Sequence, residues 1–471
     1  MECIGKMKVL LINPLTNEKG MLNITTNLGL GYIATSLRKN GFQVDIFDGV
    51  KKDMTRKKLI ERLKKLDYDV AGFQVYTYSV PHALEGLKII KSLNPKIITV
   101  IGGAHPSGDP EAALKDLEEA DFAFRGEAEI GLPKLLKKLN GDNGDYRFED
   151  IPNLIWRENG KFRYNPLQPI EDLDSLGMPS WDLINPNDYP NAPIGAVAKN
   201  FPLATISTTR GCPYPCTFCA NSLIMGKKVR GRSPKSVLDE MQFLYNNYGV
   251  KEIQFVDDTF TSKRDMAIGV CKGIIERGIR VSISFPNGVR LNTLDEELLK
   301  LLEKAGTFSL GLGIESGSER TLKTMKKVQT IEEIREKVDL IHRTTKIRLT
   351  GFFIIGYPGE EKDDILKSIK LSKELPIHRA QITIFLPVTG CEMYKKLKKE
   401  GKLDNIDFKD MTFHNIVYVP EKLTLGQLKR LRLRAYMEFY LRPRIIWGLL
   451  SEIQSLEHFK FIFRRVLKLF S

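Results

Sequence analysis

Twice along these 471 residues, short apolar runs alternate with amphipathic stretches of helical period, and each series restricts the fold to parallel strands with helices packed across them. The first series extends from Lys8 to about Leu136. Its strands read Val9-Leu10-Leu11-Ile12, Val44-Asp45-Ile46-Phe47, Val70-Ala71-Gly72-Phe73, Ile97-Ile98-Thr99-Val100-Ile101 and Phe122-Ala123-Phe124, with helices at 32–40, 55–66, 81–93 and 112–118. This pattern predicts a doubly wound, Rossmann-like α/β domain with right-handed crossovers. The second series, Ala204 to about Lys398, has strands at 205–208, 252–256, 281–285, 308–314, 348–355 and 380–386. As in TIM barrels, its site is expected at the carboxyl ends of the strands. The chain therefore divides into 1–140, a connecting segment 141–203, 204–398 and a helical, basic region 399–471. Within the connection, Leu154-Ile155-Trp156-Arg157 and Phe162-Arg163-Tyr164 flank Glu158-Asn159-Gly160 and read as a hairpin.

Chemistry is concentrated in Thr209-Arg210-Gly211-Cys212-Pro213-Tyr214-Pro215-Cys216-Thr217-Phe218-Cys219-Ala220-Asn221, at the head of the second series. A 4Fe-4S cube is normally held by four thiolates, so three ligands in one short loop leave one iron open. An open metal position is where a substrate binds. Zinc would want a fourth Cys or His at short spacing, and none follows Cys219 for a long stretch.

The spacing Cys-x3-Cys-x2-Cys, with an aromatic residue before the last Cys, resembles the signature of the radical S-adenosylmethionine (SAM) superfamily. The resemblance implies one 4Fe-4S cluster held by Cys212, Cys216 and Cys219, with the open iron chelating the amino and carboxylate groups of SAM. It also implies a partial (β/α)6 barrel, cleavage of SAM to methionine and a 5′-deoxyadenosyl radical, and an external electron donor of flavodoxin or ferredoxin type. The other strand ends then ring the same cavity. Asp257 and Asp258 suit the ammonium of SAM, although aspartate before 261–272 is equally a favoured helix cap. Asn287 and Arg290 are placed to reach carboxylate or ribose. Glu315, with Ser316 beside it, is expected on the ribose hydroxyls. The segments at Gly356 and Leu386 resemble those that border adenine. Cys391 is read as a packed thiol in preference to a substrate contact, and Cys3 and Cys271 as without a role.

Upstream, the strand-end loops carry Asn27-Leu28-Gly29-Leu30-Gly31, Gln74-Val75-Tyr76-Thr77, Gly102-Gly103-Ala104-His105-Pro106-Ser107 and Gly126-Glu127-Ala128-Glu129. Glycine there lets backbone approach a bulky ligand. The ordered set ahead of the cysteine motif resembles the cobalamin-binding domain of cobalamin-dependent radical SAM enzymes. By that resemblance Gly29, Gly31, Tyr76, Thr77, Gly102, Gly103, His105, Gly126 and Glu127 are the expected cobalamin contacts. The loop 13–27 has no His, so the Asp-x-His-x-x-Gly cobalt ligand of cobalamin mutases is missing. His105 is read either as a ligand or, more simply, as a turn residue or polar contact.

The implied function is radical modification of an unactivated carbon, first by methyl transfer and alternatively by cyclisation, carbon-carbon coupling or rearrangement as in anaerobic porphyrin cyclases. An RNA-modifying methylthiotransferase is the reading of another class, disfavoured because only Cys3 precedes the motif; no nucleic-acid partner is expected. Clustered cysteines, no signal-like pattern at Met1 to Lys6, and no apolar run near ~20 residues predict a reducing, cytoplasmic location. The net charge of +14 gathers partly in the last fifty residues. There Phe459, Ile462, Phe463, Val466, Leu467 and Phe470 recur on one helical face beside Lys460, Arg464 and Lys468. Such a helix either packs on the barrel or lies peripherally on the inner membrane face, which favours a lipid-like small molecule as substrate.

Overall fold

A computed structural model describes residues 7–14, 26–141, 147–191, 198–413 and 415–451. The amphipathic segment 459–470 expected at the end of the chain lies outside these residues, as do His414 and His458. The first sheet contains β1 (Lys8–Asn13), β2 (Gln43–Asp48), β3 (Val70–Gln74), β4 (Ile98–Gly102) and β5 (Phe122–Phe124), all parallel, in the order β2-β1-β3-β4-β5. The order reverses between β1 and β3, where doubly wound sheets bind their ligands.

The hairpin β6 (Leu154–Glu158) and β7 (Lys161–Tyr164) forms as expected and extends this sheet antiparallel beside β5. Its turn is built by Asn159 and Gly160, both at positive φ, as a two-residue hairpin requires. The sequence read Gly102 to Ser107 as a loop. Ala104–Gly108 is a helical turn instead, entered from Gly103 at φ 107°.

The second sheet is an open run of six parallel strands in sequence order: β8 (Leu203–Ile206), β9 (Glu252–Phe255), β10 (Ser282–Val289), β11 (Thr307–Glu315), β12 (Arg348–Ile355) and β13 (Arg379–Ile384). Helices cover it, and their ends follow local chemistry. Ser233 caps the helix Pro234–Tyr248 through Ser236 N, Pro234 starts it, and Gly249 ends it in the left-handed conformation at φ 63°. Phe255, Phe260 and Phe285 fill the sheet's interior with centroids 4.9–5.3 Å apart. No helix among the described residues is long and apolar enough to cross a membrane.

The two sheets meet through their carboxyl-terminal loops. Thr77, after β3, shares a 2.7 Å hydrogen bond with Thr389, after β13. Lys398 reaches Asp109 at 2.6 Å. Between these contacts two glycines press backbone on backbone: a Cβ on Gly108 would lie 2.2 Å from Thr389 O, and one on Gly390 2.3 Å from Gly108 O. Gly108→Ala is therefore expected to force the domains apart locally and cost about 1–3 kcal/mol. Thermal or denaturant unfolding checks this.

On the far side of the barrel, His378 Nδ1 accepts a hydrogen bond from Leu349 N. Burial, with Arg348, Arg444, His342 and Arg379 nearby, holds this imidazole down at about 4 against an ordinary 6.5. The unfolded chain thus takes up the proton first, and stability is lost as pH falls from about 6.5 towards 4. His378→Asn is expected to flatten that part of the stability-pH curve, measured by denaturant midpoints.

Candidate functional site

Cys212, Cys216 and Cys219 occupy the loop leaving β8. At its base Thr209–Arg210 pairs antiparallel with Arg230–Gly231. Gly211 sits at φ 96° with Lys228 O 2.2 Å from where a Cβ would be, so only glycine fits ahead of the first cysteine. The loop is stitched by Cys212 N to Gly226 O (3.1 Å), Cys219 N to Cys216 O (3.2 Å), Thr217 N to Met325 O (3.0 Å) and Met393 N to Thr217 O (3.0 Å). The Thr217 hydroxyl also bonds the Tyr357 hydroxyl.

The three cysteines are free, partly exposed thiols. Burial raises all of them, Cys219 to about 12, so each is a neutral thiol until a metal displaces its proton. Among the described residues no three His, Cys, Asp or Glu side chains converge on a single-ion position. Three thiols on one loop suit a cube in which each thiolate takes a different iron.

The carboxylates expected on SAM divide into two kinds. Asp257 Oδ1 accepts from the backbone N–H and hydroxyl of both Thr208 and Thr209, so this oxygen anchors the turn feeding the cysteine loop instead of pointing at a ligand. Its Oδ2 is buried without a partner. Asp258 accepts a 2.7 Å bond from Asn221 Nδ2 and a hydrogen bond from the Gly211 backbone. Burial and the charge of Asp257 push it up to about 6, and it lies within electrostatic reach of Cys212 and Cys219. Glu315 ends β11 in the left-handed region at φ 68°, a strained place for a side chain, and pairs with Lys327 Nζ at 2.8 Å. Lys327 also acts on Cys216. Ser316, by contrast, is fully buried and spends its hydroxyl on Ser318 N and Ser368.

Arg290 lies over the Tyr214 ring of the cysteine loop, 3.5 Å from its centroid, and donates to Val328 O at 2.6 Å. Asn287 donates to Val256 O. Gly356 turns at φ 75° with its N–H on Glu360 Oε2 at 2.6 Å. Glu360 also takes Tyr357 N, leaves Oε1 buried and unpartnered, and is pushed up to about 8 by burial. Leu386 is buried just past β13. Cys391 is packed, its sulfur capping the helix Glu392–Lys399 through Tyr394 N.

On the first sheet, Gly29 and Tyr76 are exposed, and a side chain on Gly102 would meet nothing within 4 Å. Tyr76 stacks on Tyr78 with ring centroids 5.7 Å apart. These three positions are not closed by side-chain packing. The other expected contacts build the walls. A Cβ on Gly31 would strike Ile184 and Pro179 at 2.7 and 2.9 Å, one on Gly103 the backbone of Val75, and one on Gly126 Leu167 and Ile224 O. Thr77 is occupied by Thr389. His105 is 1% exposed, its Nδ1 3.4 Å from Thr77 Oγ1 and its Nε2 3.2 Å from Asp116. It is a buried polar contact with neither nitrogen left for a ligand.

Glu127 is turned toward the barrel. Its Oε1 takes Arg210 Nη1 at 2.9 Å, and its Oε2 takes Arg230 Nη1 at 2.8 Å and Ile170 N at 2.6 Å. Glu129 adds a 2.8 Å pair to Arg210, whose guanidinium lies over Tyr32. The motif reading marked Glu127 but not these arginines, nor Lys327 and Tyr214. Only the position of Arg210, directly before Gly211-Cys212, was a signal. Removing one member of a buried ion cluster strands its partners, at about 3–5 kcal/mol. Glu127→Ala is expected to lose stability on that scale and to retain less iron after anaerobic reconstitution, read by unfolding and iron assay.

The B12 binding domain family matches residues 21–136 and the Radical SAM superfamily matches residues 206–372. An uncharacterized methyltransferase of Pyrococcus horikoshii is 32% identical over 468 residues, 98% of this chain and 97% of that protein. The anaerobic magnesium-protoporphyrin IX monomethyl ester cyclase of Cereibacter sphaeroides is 27% identical, across 88% of this chain and 67% of the cyclase. The fold is shared with the radical SAM methyltransferase TsrM of Kitasatospora setae, solved with cobalamin and a 4Fe-4S cluster, at a TM-score of 0.68 and 18% identity over 89% of this chain and 80% of that one. With both cofactor domains matched in this order, and a full-length relative above 30% identity, the chain belongs to the cobalamin-dependent radical SAM enzymes.

Proposed function

We propose that this enzyme transfers a methyl group to an unactivated carbon of a hydrophobic or lipid-like small molecule. The observation that carries this reading is the union of the two sets of strand ends. Glu127 after β5 holds Arg210 after β8, and Thr77 after β3 holds Thr389 after β13, so a ligand on either sheet opens on the same cleft. When bound, the cluster supplies the electron that cleaves SAM, and cobalamin supplies a methyl carrier.

The chain's own residues take the following parts in this proposal. Cys212, Cys216 and Cys219 hold three irons. Asp258, bonded by Asn221 and the Gly211 backbone, keeps carboxylate capacity for the ammonium of SAM. Glu315, oriented by Lys327, takes the ribose hydroxyls. The Gly356 turn and Leu386 border adenine. Arg290 and Asn287 steady the cavity rim, Arg290 by stacking on Tyr214. Gly29, Gly102 and Tyr76 leave room for the corrin, and the stacked Tyr76 and Tyr78 offer an apolar face to a large substrate. Electrons come from a flavodoxin or ferredoxin type donor.

Anaerobically reconstituted protein given cobalamin, SAM and reductant is expected to form S-adenosylhomocysteine as well as 5′-deoxyadenosine, and Cys216→Ala to lose the deoxyadenosine, both read by chromatography with mass detection. Deoxyadenosine with a persistent absence of S-adenosylhomocysteine rejects methyl transfer and favours cyclisation, the reaction named for the Cereibacter relative.

A further inference from the structure

Thr217, between Cys216 and Cys219, is buried and held at every polar atom. Its N–H donates to Met325 O at 3.0 Å and its carbonyl accepts from Met393 N at 3.0 Å. Its hydroxyl reaches Thr324 O at 3.4 Å and the Tyr357 hydroxyl at 2.5 Å. A carbonyl can only accept, so the Thr217 proton goes to Thr324 O and Tyr357 donates its own to Thr217.

Tyr357 is itself fully buried, in the turn after β12. A buried phenol needs a hydrogen-bond partner, and among the described residues Thr217 is the one it has. The rest of the side chain is locked. Phe385 meets its ring edge-on at a centroid distance of 5.1 Å, and Met325, Cys391 and Met393 belong to the same apolar cluster. Its backbone is fixed as well, because Glu360 Oε2 takes Gly356 N at 2.6 Å and Tyr357 N at 3.2 Å. Tyr357 is thus a rigid strut, with one end in the turn after β12 and the other on the cysteine loop leaving β8. In the sheet those two strands are separated by β9, β10 and β11, so no ladder pairing sets the distance between the segments that follow them.

We propose that the Tyr357–Thr217 hydroxyl pair is a positioning device that sets the cysteine loop against the Gly356 turn, so that SAM is gripped at both ends in register for cleavage. The amino and carboxylate groups of SAM belong to the open iron beside the cysteines, and its adenine to the turn that carries Tyr357. A ligand held at two places binds and reacts well only when their separation matches its own length, and an error of about 1 Å can cost about 100-fold in rate. The pair touches neither end of the ligand. It acts through the loop and the turn, which Tyr357 joins directly. This role rests on the reading of the Gly356 turn as the adenine border and is independent of the fate of the methyl group.

Methionine separates the two grips, because it offers the amino and carboxylate groups without adenine. In anaerobically reconstituted full-length protein, Tyr357→Phe is expected to retain its iron and to show the wild-type change in the paramagnetic resonance spectrum of the reduced cluster when methionine is added. SAM is expected to bind it about ten-fold more weakly, with a diminished spectral change, and deoxyadenosine formation to fall by about 10- to 100-fold. Thr217→Ser keeps the hydroxyl and is expected to keep wild-type SAM affinity. Thr217→Val strands the Tyr357 phenol and is expected to match Tyr357→Phe, with no further loss of SAM affinity when the two are combined. Wild-type SAM affinity in Tyr357→Phe, loss of the methionine and SAM responses together, or additive losses in the double variant would each overturn this role. Leu386→Ala tests the adenine border separately: unchanged SAM affinity in that variant would reject the placement of adenine and the role with it, whereas weakened affinity there beside a wild-type Tyr357→Phe would reject the strut alone.

Discussion

Glu127 lies buried between two arginines of the other domain, and the geometry of the whole cleft follows from that arrangement. Charges taken out of water are tolerated only when their attraction and remaining hydrogen bonds are satisfied together. Here both carboxylate oxygens are filled by Arg210, Arg230 and Ile170 N, with Glu129 sharing Arg210. Arg210 stands directly before Gly211 and Cys212, and Arg230 lies opposite it in the two-residue ribbon. The position of the cysteine loop and the docking of the cobalamin-binding domain are thus set by the same charges.

The strand-end acids show how one residue type serves opposite purposes. Asp257 and Glu360 spend oxygens on backbone N–H groups, fixing the turns after β8 and β12. Asp258 and Glu315 carry lighter loads: Asn221 and the Gly211 backbone bond the first, and Lys327 pairs with the second. The acids with spare acceptor capacity are those beside the cysteines, while their neighbours hold the backbone still.

Local signals were legible in the sequence because their physics is local. Periodicity located the strands of both sheets, Asn159-Gly160 predicted the hairpin turn, and cysteine spacing predicted the loop. What stayed hidden depends on distant partners. Glu127 meets Arg210 and Arg230 across 83 and 103 residues, and nothing near Glu127 distinguishes a ligand contact from an interdomain anchor. Gly31 and Gly126 look like cofactor glycines by position. Their missing Cβ atoms serve close packing against Ile184 and Leu167 instead. Ser316 sits next to Glu315, yet strand-end geometry turns it into the core. The hairpin was recognised as a hairpin, but its membership of the first sheet required the pairing of Ala123 with Ile155.

The contact of Gly108 with Thr389 and Gly390 brings peptide groups together with no side chain between them. Separation of the two sheets at that point is consequently a property of polypeptide dimensions, and no substitution can make it smaller. Enlarging it would also pull on Thr77–Thr389 and Lys398–Asp109. What can vary there is the side chains around the gap, while the jaws keep a constant gauge.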